Sequence, residues 1–72
     1  MSTQRTYSID MNDTTNFLTV NVAEGVTRTP ELDAKAVALK DAWADLLEEG
    51  GFVVYPSVTY TEVESTTTTV TL

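Results

Sequence analysis

The stretch TPELDAKAVALKDAWADLLEE, residues 29–49, decides how this chain folds. Thr29 can cap a helix, Pro30 suits the first helical position, and Glu31 meets the positive end of the helix dipole. Leu32, Ala36, Leu39, Trp43, Leu46 and Leu47 recur at helical spacing. The pattern predicts one amphipathic helix that stops at Gly50-Gly51, where a glycine takes the left-handed cap. At ~100° per residue, Asp41, Asp45 and Glu48 fall opposite the apolar stripe and turn to water.

Strands are expected on both sides of this helix. Arg5 to Met11 alternates, with Tyr7, Ile9 and Met11 on one face. Asn12 to Asn16 is a run of turn formers. Phe17 to Val22 alternates again, with Leu18, Val20 and Val22 inward, so the two segments read as an antiparallel hairpin. After the helix, Phe52-Val53-Val54-Tyr55 reads as a short apolar strand punctuated by Pro56. Val58 to Val63 and Thr66 to Leu72 are β-prone, with a turn at Glu64-Ser65. Met1 to Gln4 reads as a frayed end. The expected fold is α+β: one domain over residues 1–72, order β-β-α-β-β, with the helix packed on one face of a small antiparallel sheet.

A 72-residue domain buries only about 60% of the surface that its unfolded chain exposes, so its stability margin is thin and a partner would help. The net charge is −7, and the only cations are Arg5, Arg28, Lys35 and Lys40. Phosphate neutralisation needs clustered Lys and Arg, so direct nucleic-acid binding is not expected. Anionic membranes are disfavoured by the same repulsion, and no apolar run reads as a membrane span. The chain has no cysteine, and its first residues lack an apolar leader, which reads as cytoplasmic. The sequon Asn12-Asp13-Thr14 is read as chance in that setting.

Histidine and cysteine are both absent, and no phosphate loop or nucleophile elbow is present. Asp10 with Asp13, and Glu62 with Glu64, are the available carboxylate pairs, but both sit among polar residues that would not separate their pKa values. No enzymatic activity is expected. Asp10, Asn12, Asp13 and Asn16 offer oxygen ligands in one loop but lack EF-hand spacing, and such residues fill turns by bonding their own backbone. No metal or other cofactor is expected.

The acidic helix face breaks local rules in one direction. Asp41 and Asp45, four apart, repel each other, and Glu48 and Glu49 sit where the dipole favours cations. Departures of this kind mark function. The chain is similar in size, charge and threonine-rich strands to small acidic phage-encoded proteins that inhibit host defence complexes. That resemblance carries over no residue; it implies a nucleic-acid-mimic inhibitor. The leading expectation is a binding protein that docks on a basic protein surface through Asp41, Asp45, Glu48 and Glu49, with Glu62 and Glu64 as a second patch. The alternative is a structural subunit that self-assembles into a homo-oligomer through its β-edge or C-terminal strand, where Ser65 to Leu72 carries no charge to blunt an exposed edge.

Overall fold

The computed structural model describes residues 3–13 and 15–72. Four strands and one helix follow in the order β1 (Gln4–Asp10), β2 (Phe17–Asn21), α1 (Pro30–Glu49), β3 (Ser57–Val63) and β4 (Thr67–Thr71). The sheet order is β2-β1-β3-β4, and every neighbouring pair is antiparallel. The expected α+β fold with a single helix on the sheet is what the chain adopts. β2 and β3 therefore run parallel to each other on either side of β1, and α1 is the crossover between them.

The helix begins and ends as its residues dictate. The Thr29 hydroxyl accepts from the Leu32 amide at 3.2 Å, and Pro30 opens the first turn. At the other end the Gly51 amide donates to the Glu48 carbonyl and the Phe52 amide to the Leu47 carbonyl, both at 3.0 Å. This is a Schellman closure, and it places Gly51 at φ +94, where a side chain would be strained.

The core lies between α1 and the two central strands. Tyr7, Ile9 and Met11 are buried as their alternation predicts, together with Val58, Tyr60, Val54 and Ala44. Leu32, Ala36, Trp43 and Leu47 pack against this cluster from the helix. Among the described residues the opposite face of the sheet has no helix over it, and its middle rows carry hydroxyl side chains while Phe17 and Val63 lie toward its ends. Ser8, Thr19, Thr59 and Thr71 share one row across the strands, and Thr6, Thr61 and Thr69 the next.

Four expectations need correction. Phe52 to Tyr55 is not a strand: Val54 is buried and the Tyr55 amide bonds the Met11 carbonyl, but Phe52, Val53 and Tyr55 point to solvent, and β3 starts only after Pro56. Gln4 is not frayed but pairs with Val63 as the first residue of β1; Met1 and Ser2 lie outside the described residues, as does Thr14 of the sequon. Leu39 and Leu46 are not inside; they are 42% and 69% exposed. Leu18 and Val20 share the helix-facing side of the sheet with Ile9 and Tyr7, yet both stay exposed. The helix rests on β1 and β3 and not on β2, so the β2 row and Leu39, which lines the groove between β2 and α1, have no cover.

Candidate functional site

Asp41, Asp45, Glu48 and Glu49 are all exposed on α1. The Lys40 ammonium lies 2.9 Å from the Asp41 carboxylate. No basic residue stands in the last helical turn, so the carboxylates of Asp45, Glu48 and Glu49 add to the negative end of the helix dipole.

Both arginines are engaged at the other end of the helix. Arg28 grips Asp33, in the first turns of α1, through Nε at 3.0 and 3.1 Å and Nη2 at 2.9 Å. The Tyr7 hydroxyl donates to the same carboxylate at 2.5 Å. The Arg28 guanidinium also sits 4.7 Å from the centre of the Tyr60 ring, and the Tyr7 and Tyr60 rings pack tilted at 5.2 Å. Tyr60 donates to Glu62 at 2.7 Å, and Arg5 Nε donates to Glu62 at 3.1 Å.

This network sets the protonation of its members. Burial, reinforced by the bond to Asp33, pushes the Tyr7 phenol up to about 12. Burial and the bond to Glu62 likewise raise Tyr60. Arg28, then Tyr7, holds the Asp33 carboxyl below the usual carboxylate range, and Tyr60, then Arg5, does the same for Glu62. Each shifted group is another's partner, which is the signature of a structural clasp between helix and sheet.

The structure thus separates the acidic residues singled out in the sequence. Asp41, Asp45, Glu48 and Glu49 share the outer side and C-terminal half of α1. Glu62 faces the helix side of β3 and is taken up by Arg5 and Tyr60, near the start of α1. Glu64 is exposed in the turn before β4. Glu62 and Glu64 form neither a carboxylate pair nor one patch with the helix acids. In the hairpin loop, Asp13 accepts from the amides of Thr15 and Asn16 at 2.9 and 2.7 Å and from Asn16 Nδ2 at 2.6 Å. Those bonds, the Asn16 side chain first, lower the Asp13 pKa. Its oxygens serve the turn, and among the described residues no group of three or more acidic side chains converges on a metal-sized site.

One feature of this end was not visible in the sequence. Leu46, Phe52, Val53 and Tyr55 are 69%, 52%, 74% and 70% exposed beside the acidic end of α1. The segment that holds three of them is fixed by the buried Val54, by the Tyr55 amide bond, and by Asn12 Nδ2, which donates to the Tyr55 carbonyl. Phe52 and Val53 directly follow the acidic end of α1 in the chain, so exposed apolar side chains and exposed carboxylates occur together there. Among the described residues no helix is long and apolar enough to cross a membrane. The chain matches no family model, no curated protein and no solved structure.

Proposed function

We propose that this chain is a non-catalytic acidic binding protein. It docks the C-terminal end of α1 on a basic protein surface, in the manner of a nucleic-acid mimic that inhibits a nucleic-acid-binding complex. The observation that carries the reading is the separation of charge along the helix. Arg5 and Arg28 are spent on Glu62 and Asp33 near its start, while Asp45, Glu48 and Glu49 stand exposed near its end, with no cation in the last turn. Carboxylates spaced along a helix give a basic groove a negative track like that of a phosphate backbone. Leu46, Phe52 and Tyr55 supply apolar contact beside it.

The test is capture from a lysate of the native host on the immobilised protein, washed at low and then high salt. A charge-steered partner binds at low salt and leaves as salt rises. The triple variant Asp41→Asn, Asp45→Asn, Glu48→Gln should lose that partner. Capture unchanged by the triple variant, or unaffected by salt, would discard the proposal.

A further inference from the structure

We propose that a second copy of this chain binds the free edge of β2, which makes the functional unit a closed two-fold dimer with one continuous eight-stranded sheet. The backbone shows which groups are free. The Met11 amide donates to Asn16 and the Val22 amide to Arg5, so residues 16, 18, 20 and 22 turn their amides and carbonyls toward β1. Phe17, Thr19 and Asn21 therefore aim theirs outward. Nothing blunts this edge: Thr15 to Ala23 contains no charge and no proline.

The side chains say what should cover it. Leu18 and Val20 are 37% and 40% exposed on the helix side of β2. Val20 borders a groove of about 350 Å³ between β2 and α1, walled further by Val26, Leu39 and the stem of Lys35 and floored by Tyr7 and Ile9. An antiparallel copy of β2 centred on Thr19 pairs Thr19 with itself and Phe17 with Asn21 through the outward groups. The same register sets Leu18 beside Val20 of the other copy, twice, over the open groove. Strand directions alternate across β2-β1-β3-β4, so this pairing keeps the whole sheet antiparallel, with both helices on one face. The β4 edge is also free and uncharged, but its helix-side row is Thr68, the half-buried Val70 and, past the strand's end, Leu72 at 36% exposed, so pairing there removes less apolar surface than the Leu18 and Val20 row.

The dimensions also favour a second copy. A compact monomer of 7.9 kDa exposes about 4,400 Å², whereas this chain exposes 4848 Å². Its radius of gyration is 13.2 Å, against about 11 Å expected for a chain of this length. The two acidic chains repel, and β2 is a charge-free line of approach, away from the carboxylates on the outer side of α1.

Sedimentation equilibrium of the purified protein should show a mass rising with concentration from 7.9 kDa toward twice that value. Thr19→Pro removes only an outward amide, which an edge strand tolerates, and should leave the circular dichroism unchanged while the protein sediments as a monomer. Thr69→Pro, the same change on β4, should still dimerise. The chain has no cysteine, so Thr19→Cys gives a test that does not depend on Thr19→Pro folding. Two Thr19 positions in a hydrogen-bonded pair lie about 5.5 Å apart, within disulfide reach. Thr19→Cys should oxidise to a covalent dimer at least tenfold faster than Thr69→Cys. A monomer at millimolar concentration, faster crosslinking at Thr69, or an open polymer that uses both edges would overturn the proposal. The triple acidic variant should dimerise normally, so failure of this inference and failure of the docking reading are told apart.

Discussion

Tyr7 ties the core of the sheet to the helix. It is buried in β1, packs tilted against Tyr60, and bonds the helix through Asp33. Tyr7→Phe keeps the packing and leaves Asp33 with Arg28, so no buried charge is orphaned. The loss should be that of one hydrogen bond to a charged group, about 1.5–3 kcal/mol, and each kcal/mol lowers the melting midpoint of a domain this small by roughly 4–8 °C. The pH dependence has a definite sign. The folded state holds the Tyr7 proton up to about 12, so its contribution is whole below the ordinary tyrosine value of about 10 and is lost as pH rises through about 12. Asp33 and Glu62 act in the opposite direction. Their folded pKa values are depressed, so their contribution is whole above the ordinary carboxylate range, about 4, and is lost as pH falls below it. Chemical denaturation across pH should show both limbs in the native protein. Tyr7→Phe should weaken the alkaline limb, leaving the share of Tyr60, and trim the acid limb by the share of Asp33 that Tyr7 supplies, and an unchanged alkaline limb would show that Tyr7 does not couple helix to sheet.

At the level of elements, α1 carries a conflict between stability and the proposed docking. Its N-terminus is well formed, with the Thr29 cap and Glu31 and Asp33 in the first turn. Its C-terminus has Glu48 and Glu49 against the dipole. Glu48→Gln with Glu49→Gln should therefore raise stability by several tenths of a kcal/mol, seen as a higher denaturation midpoint, while it weakens salt-sensitive capture of a basic partner. Loss of stability on neutralising both would mean that these carboxylates have partners that hold the fold. The helix and its outward acids were legible because cap, periodicity and stop all lie within one segment. The hairpin was legible for the same reason. What the helix covers was not legible: periodicity orients a face but does not say that α1 spans β1 and β3 and stops short of β2. Leu39, Leu46, Leu18 and Val20 have interior periodicity and are nonetheless exposed. The Arg5–Glu62 and Tyr7–Asp33 bonds join residues that come together only through the strand order, which no local pattern encodes. Phe52 to Tyr55 has strand-forming residue types, yet Val54 alone finds a place in the core, and the Schellman closure spends the first amide of the segment.

For the whole molecule, added salt should strengthen the fold, and the argument rests on lengths. The three ion pairs among the described residues are contacts of 2.9 to 3.1 Å. The Debye length is about 30 Å at 0.01 M salt and about 8 Å at 0.15 M. Pairs in contact are far inside either length, so screening changes them little, and those at the surface contribute little at any salt. Repulsion among the unpaired carboxylates behaves otherwise. The molecule measures 44 × 23 × 17 Å, so at low salt most of its net charge of −7 acts on itself across the full width, and at physiological salt only near neighbours do. The melting midpoint should therefore rise between 0.01 and 0.15 M sodium chloride, and the β2-mediated dimer should tighten, because two like-charged copies repel less. Binding to a basic partner should weaken over the same interval, since there the long-range term is attractive. Scanning fluorimetry, sedimentation and partner capture on one salt series test all three at once. A midpoint that falls with salt would mean that the ion pairs outweigh the net repulsion, and the acidic end of α1 would then lack the uncompensated field on which docking depends.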